Sequence, residues 1–359
     1  MRGPFVVAVV VLVVMAGVSV IVLAGHAWDP MAFVLPRPVD VPHTQTWGIG
    51  YDGRFAYAIA LGPYGSAQGL DVPAYRYMRI VYPLTAWAIA LGQRALVPWT
   101  MLGVNLAAAA VSAAVLGSMA SRRGASAAAA LVLILSFNYF IGLRLDLNEP
   151  VEFALALVGL YAYERDRLPA AVAAFAAAGL AKEVSLALPL GLAAWLLLSS
   201  RWKTALLLVV GCVGPYMAWG AVVGLWLGNM PFGSLLGAPT FPPFIGLRSV
   251  AGLETRIMVL LWVVGPAILA GLGALWQLLR TPRSEASRDA AMVLVNAGVI
   301  ASLPVLTWVD PLAVLRMAIG LMIAIVLWLS GTRPRLLALA FALWAPSLLL
   351  AFLIPGFLT

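Results

Sequence analysis

Apolar residues fall into long runs along this chain, at 4–25, 98–119, 125–141, 150–163, 168–181, 184–199, 204–226, 256–279, 290–308, 312–329 and 336–354. Short polar breaks separate them. A membrane-crossing helix needs about 20 predominantly apolar residues, and runs that are apolar on every helix face belong in lipid or a buried core. The pattern predicts an all-α polytopic membrane protein with about eleven transmembrane helices, the shorter runs having soft ends. Small residues near Ala24 and Ala27 follow the first run, as after a cleavable signal peptide. The run is long for a leader, so 4–25 is read as a retained span. The run at 81–97 is ambiguous by pattern alone.

Composition agrees with the pattern. Of 359 residues, 63% are hydrophobic and 10% charged, too few polar groups to cover a soluble domain. The formal net charge is +8, but the basic residues lie in short clusters between apolar runs, where they act as topology signals rather than nucleic-acid contacts. Cys212 is the single cysteine, so no intrachain disulfide forms.

Charge resolves the ambiguous run. Arg122/Arg123, Arg165/Arg167, Arg201/Lys203, Arg280/Arg283/Arg288 and Arg333/Arg335 fall between alternate spans only if 81–97 does not cross. With these and Arg2 on the cytoplasmic side, that side holds twelve basic residues and four acids, and the outer side ten of each. This is the asymmetry of the positive-inside rule. The N-terminus is then cytoplasmic and the C-terminus external. Residues 26–97 form a first outer loop, with interfacial helices at 51–62 and roughly 74–92. The Gly- and Pro-rich loop 227–255 is long enough for an outer lid.

Ionisable residues at membrane depth are functional candidates by default, and four constellations stand out. The first is Trp47-Gly48-Ile49-Gly50-Tyr51-Asp52-Gly53-Arg54-Phe55, an acid among aromatics and turn glycines; its plain reading is that Asp52 caps a helix. The second is Tyr75-Arg76-Tyr77-Met78-Arg79. Its two arginines share a helix face and suit a phosphate or pyrophosphate; the plain reading is snorkelling to headgroups. Asp71 before it reads as a cap. The third is Arg144-Leu145-Asp146-Leu147-Asn148-Glu149-Pro150, where Asp146, Glu149 and Glu152 crowd one helix entrance. The fourth is Lys182-Glu183, either an ion pair stapling two helices or a phosphate contact oriented by its neighbour. Arg248, Arg256 and Arg316 are weaker versions of that case, and Asp310-Pro311 reads as a helix start. His26 and His43 lack metal-ligand spacing.

The order Tyr-Asp-Gly, Tyr-Arg-Tyr-x-Arg-Ile-x-Tyr-Pro, Asp-Leu-Asn-Glu-Pro and Lys-Glu resembles bacterial cell-surface glycopolymer-formation proteins. These are similar to the GT-C class of polytopic glycosyltransferases and, more distantly, to GPI-anchor mannosyltransferases. The resemblance covers roughly residues 1–200. It implies a GT-C-like catalytic module over 1–226, followed by the 227–255 loop and C-terminal helices over 256–359. It also implies a polyprenyl-phosphate-linked sugar donor and an acid in the first outer loop, matching Asp52. The acids of the second loop match Asp146 and Glu149. Many GT-C enzymes carry an Asp/Glu pair in the first loop where the motif here has Asp52 followed by Gly53, and the distant relatives' His after the Asp is absent. Use of a divalent cation, Mg or Mn, is left open. Lys182 stands where an Arg is expected.

The expected activity is inverting glycosyl transfer at the outer face of the cytoplasmic membrane, from the lipid-linked donor to a cell-envelope glycopolymer or glycolipid. Asp52 is the expected catalytic base. Tyr51, Arg54, Tyr75, Arg76, Arg79, Arg144, Asp146, Glu149, Lys182, Glu183 and Arg248 are the expected substrate contacts, and Tyr77 joins the tyrosines framing the sugar. Two other readings use the same residues without chemistry: a transporter or flippase of lipid-linked sugars, and a non-catalytic scaffold for envelope assembly.

Overall fold

A computed structural model describes residues 2–34, 51–63, 70–231, 239–354 and 357–358. Trp47, Gly48, Ile49, Gly50 and His43, and part of the 227–255 loop, lie outside the described residues. Those described fold as helices, turns and loops with no strand. In order the helices are α1 (Arg2–Gly25), α2 (Met31–Val34), α3 (Gly53–Ala60), α4 (Pro73–Tyr77), α5 (Val81–Ile89), α6 (Val97–Arg122), α7 (Leu131–Ile134), α8 (Phe137–Arg144), α9 (Glu149–Tyr163) and α10 (Leu168–Ala181). They continue as α11 (Ala187–Leu198), α12 (Trp202–Leu227), α13 (Leu253–Val259), α14 (Gly265–Arg280), α15 (Glu285–Ala301), α16 (Val305–Val309), α17 (Pro311–Met317), α18 (Ile319–Thr332), α19 (Leu336–Trp344) and α20 (Leu350–Leu353).

Every apolar run of the sequence forms helix, which makes this a helical membrane protein. By length and composition, six helical stretches among the described residues are able to cross a bilayer: Arg2–Gly25, Arg94–Arg122, Trp202–Leu227, Leu253–Arg280, Pro311–Thr332 and Leu336–Leu353. A bent pair, Ala127–Ile134 with Phe137–Arg144, makes a seventh if counted as one span. The count of eleven crossings is not reached on this measure. The reason is length: α9, α10, α11 and α15 have 15, 14, 12 and 17 residues, against about 20 for a full crossing.

The region expected as one interfacial helix over 74–92 is two short helices, α4 and α5. Nine residues in α5 rise about 14 Å, far short of a bilayer. The run at 125–141 is broken by a 64° bend. There Ser136 caps α8 by accepting the Tyr139 N–H at 3.3 Å, and Ser347 accepts the Phe137 N–H at 3.0 Å. These serines satisfy donors that a helix start leaves open.

The bundle is organised around α17–α18, whose apolar window is 89% buried. α18 is apolar on every face (IGLMIAIVLWL) and packs on α15 and α6. Around it α9 pairs with α10, α6 with α1 and α9, and α11 with α15 and α12. Small residues allow the close approaches, as expected for helices in lipid. A Cβ on Gly159 of α9 would lie 2.7 Å from the Phe175 ring of α10. α1 and α12 leave large apolar side chains such as Phe5, Val13, Leu206 and Leu225 exposed, the surface that faces acyl chains.

Two polar clusters lie at opposite ends of α9, about 22 Å apart for its length. At its C-terminal end Arg123 and Arg288 meet Glu164 and Asp289. Arg201 and Glu285 line a cavity there with Arg288, and Gly331 lies against Arg123. The basic clusters that alternate along the sequence thus gather at one end. Glu149, at the other end, belongs to the candidate site.

Candidate functional site

The site is a cleft lined by Asp52, Phe55, Ala56, Ile59, Arg76, Arg79, Leu147, Asn148, Glu149, Lys182 and Arg316. Four cations and two acids line it. They come from five places in the chain: the α3 entrance, α4 and the turn after it, the loop into α9, the end of α10, and α17.

Asp52 sits at the N-cap position of α3, but its backbone is helical and its side chain caps nothing. Its carboxylate points instead to two guanidiniums. Oδ1 accepts from Arg76 Nη1 at 3.1 Å and Oδ2 from Arg316 Nη2 at 3.4 Å. Its side chain remains 33% exposed. Burial pushes its pKa up, but the charges of Arg76, Arg316, Arg79 and Lys182 outweigh that and hold the carboxyl well below the usual carboxylate range. Asp52 is therefore fully ionised.

Each cation has further anchors. Arg76 donates from Nε and Nη2 to both oxygens of Asp71 at 2.7 Å, and its guanidinium lies 3.9 Å over the Phe55 ring. Val72, not Asp71, is the α4 cap residue. Asp71 accepts the Val72 N–H at 2.7 Å and grips Arg76, the planar fork-to-fork geometry that lysine cannot supply. Arg79 forks onto Glu183 at 3.1 and 2.7 Å and donates to the Tyr75 hydroxyl. Lys182 reaches Glu149 at 2.5 Å. Lys182 and Glu183 are thus adjacent residues with opposite partners. Lys182 ties α10 to α9, and Glu183 ties the turn before α11 to Arg79.

Arg316 is the residue that sequence reasoning underrated. It donates to Glu149 Oε1 at 2.7 Å, to the Tyr51 hydroxyl at 2.8 Å, to the Leu312 carbonyl at 3.2 Å, and to Asp52. Tyr51 in turn donates to Asp310, which also caps α17 by accepting the Leu312 N–H at 3.0 Å. The signal was present, since Arg316 is the one charged residue between 311 and 332. A lone charge in an apolar span marks function by default.

Seven expected substrate contacts are not among the cleft's lining residues: Tyr51, Tyr75 and Glu183, which hydrogen-bond to its cations, and Arg54, Arg144, Asp146 and Arg248. Asp146 is fully buried. Its Oδ1 accepts from the Tyr82 hydroxyl at 2.5 Å and from Asn105 at 2.8 Å, and Asn105 also donates to the Leu147 carbonyl at 3.1 Å. Burial raises its pKa to about 7, against the lowering effect of those two hydrogen bonds. Arg144 is fully buried and donates to the carbonyls of Phe357 (2.5 Å) and Ala32 (2.8 Å), joining distant parts of the chain. Arg248 lies in the short turn Ile245–Ser249. Arg54 rests 4.7 Å over Phe55, outside the lining. Asp146 acts on the site indirectly. A Cβ on Gly53 would meet the backbone carbonyls of Leu145 and Asp146, so Asp52-Gly53 is seated directly on the loop that Asp146 holds.

A divalent cation does not fit these residues. Asp52 and Glu149 each lie against two cationic side chains. Among the described residues no three His, Cys, Asp or Glu side chains converge as a metal site would require. What the cleft offers is an anion site: four cations with one accessible carboxylate between them. No protein-family profile, curated protein or solved structure matches the chain.

Proposed function

We propose that this chain is a membrane glycosyltransferase that moves a sugar from a polyprenyl-phosphate donor to an envelope glycan or lipid. The observation that carries the reading is Asp52, an ionised and partly exposed carboxylate between Arg76 and Arg316, with Arg79 and Lys182 on the same cleft. An acceptor hydroxyl attacks the anomeric carbon, and its proton passes to Asp52. The carbon–oxygen bond to phosphate breaks, and its electron pair leaves with the polyprenyl phosphate. The attack comes from the face opposite the leaving group, so the sugar inverts. The arginines and Lys182 hold the charge that develops on the phosphate. Such fixed donors in a site shielded from water contribute most to catalysis of this kind.

Orientation follows from charge. The basic clusters gather at the end of the bundle opposite the cleft. The positive-inside rule puts that end in the cytoplasm and the cleft at the outer face. A transporter of the same ligand would instead gather its charges near mid-depth.

The test is reconstitution of the purified protein with polyprenyl-phosphate sugars and envelope acceptors, following polyprenyl phosphate release by mass spectrometry. Wild type is expected to release it. Asp52→Asn is expected to lose about 10²–10⁴-fold, the usual contribution of a positioned base, while still inserting and folding. Near-normal transfer by that variant would overturn the assignment.

A further inference from the structure

The cleft contains a difficulty for its own chemistry. A general base works best when its pKa lies near the operating pH. Here two guanidiniums face Asp52 and hold its carboxylate well below the ordinary range. An ion-paired carboxylate of that kind accepts a proton poorly. The same two guanidiniums are those a phosphate would use.

The distances rank the contacts of each arginine. Arg76 holds Asp71 through two limbs at 2.7 Å and Asp52 through a third at 3.1 Å. Arg316 holds Glu149 at 2.7 Å and Tyr51 at 2.8 Å, and Asp52 at 3.4 Å. In both cases Asp52 has the longest of the contacts to an acidic or phenolic partner. A guanidinium carries five N–H donors in a rigid fork, so each arginine stays anchored when its limb toward Asp52 is taken by another anion. Asp52 is also the most exposed of the cleft's ion-pair partners, at 33% against 8% for Arg76 and 3% for Arg316. It is free to yield.

We propose, resting on the transferase reading, that Asp52 is an internal competitor of the donor phosphate: it occupies Arg76 and Arg316 in the ligand-free cleft, and the phosphate displaces it. Donor binding then releases the carboxylate and restores its basicity. The base is active only where there is a phosphate to leave, and the donor binds before the acceptor is deprotonated. Coupling between two ligands of one site is reciprocal. Removing the carboxylate charge therefore tightens phosphate binding, although the same change slows transfer about 10²–10⁴-fold.

The experiment is a binding titration, independent of turnover. Protein in nanodiscs is titrated with farnesyl phosphate, a short polyprenyl phosphate, with farnesol as the uncharged control. Asp52→Asn is expected to bind farnesyl phosphate about fivefold tighter or more, the lower end of usual coupling, with farnesol unchanged. Asp52→Ser removes both the charge and the reach, and gives the same ordering if the amide of Asn perturbs the fold. Equal or weaker binding of farnesyl phosphate by the folded variants overturns the exchange. The two proposals fail separately. Tighter binding without transfer from any donor by wild type keeps the exchange and removes the transferase. Asp52-dependent transfer without tighter binding does the reverse.

Discussion

At the C-terminal end of α9, Arg123 and Arg288 share Glu164 and Asp289, and none of the four side chains is more than 11% exposed. At the N-terminal end of the same helix, four cations share acids drawn from separate segments, and Asp52 and Glu183 keep 33% and 28% of their side-chain surface. Both ends are ion-pair networks in an apolar bundle. The first is tightly paired: two cations and two acids clamp α6, the α9–α10 turn and α15, and although Glu164 and Arg288 border a cavity, neither carries more than 11% of its side-chain surface exposed. The second stays open at two acids, Asp52 the more exposed of them. A buried charge in a membrane protein has to be paired in either case. What separates a clamp from a site is whether a paired group remains reachable and holds its partners by its weaker contacts.

The comparison is broken most directly at Glu149, the acid shared by Lys182 and Arg316. Glu149→Gln leaves two buried cations short of an anion. Removing one partner of a buried pair typically costs about 3–5 kcal/mol. The expected result is a large fall in melting temperature in detergent, partly recovered by farnesyl phosphate, which supplies the missing charge. A variant as stable as wild type would mean that the cleft's charges are more solvated than their burial indicates.

The far cluster gives the contrasting result. Arg123→Gln removes charged hydrogen bonds to Glu164 and Asp289, contacts worth about 1.5–3 kcal/mol. It is expected to lower the melting temperature and leave the affinity for farnesyl phosphate unchanged. A change in that affinity would show that the two ends are coupled through α9, and the division into clamp and site would fall.

These residues also show how far sequence reading went. The apolar runs marked the long helices but not the short α2, α3 and α4, because burial in lipid leaves a composition signal that needs no tertiary context. Asp52, Arg76, Arg79, Glu149 and Lys182 were named from local pattern, and the structure brings them to one cleft. Asp146, Arg144 and Arg248 were named on the same grounds and lie off it. The two acids of Asp-Leu-Asn-Glu-Pro, three residues apart, reach different partners across a backbone in which Asp146 takes a positive φ of 52°, which no residue-type rule reveals. Arg316 was underrated because its partners are 167, 264 and 265 residues away. The count of about eleven crossings is not confirmed, for a related reason. Apolar runs such as 168–181 are shielded by neighbouring helices as well as by lipid, and hydropathy does not separate the two.

Gly53 tests how the open end is seated. Its Cα faces the carbonyls of Leu145 and Asp146 too closely for a side chain. Gly53→Ala forces α3 and Asp52 away from Arg76 and Arg316, at a cost of about 1–3 kcal/mol, typical of overpacking. Transfer is expected to fall more than stability does, since catalysis is sensitive to shifts of about 1 Å. If the variant retains full transfer, the position of Asp52 does not depend on this seat.

The smallest effect is a slope with pH, and it concerns the residue that holds that seat. Asp146 is buried with its pKa raised to about 7, above the ordinary value of about 3.9 that it regains on unfolding. Between those values the folded protein binds the proton and the unfolded chain does not. Stability from this group is therefore full below about pH 4, falls as pH rises toward 7, and is level above it. The slope is at most about 1.4 kcal/mol per pH unit. Asp52 has the opposite displacement: the stability from its ion pairs is present above the ordinary carboxylate pKa and is lost only as pH falls below it. Between pH 5 and 7 Asp52 therefore contributes no slope, and the two acids are separable in one experiment. Melting temperature measured across that range is expected to decline in wild type and in Asp52→Asn, and to decline less steeply in Asp146→Asn, where other buried acids such as Asp310, also raised by burial, still titrate. A slope in Asp146→Asn as steep as in wild type would place the titrating group elsewhere, and would remove the assignment of this titration to the acid under Asp52.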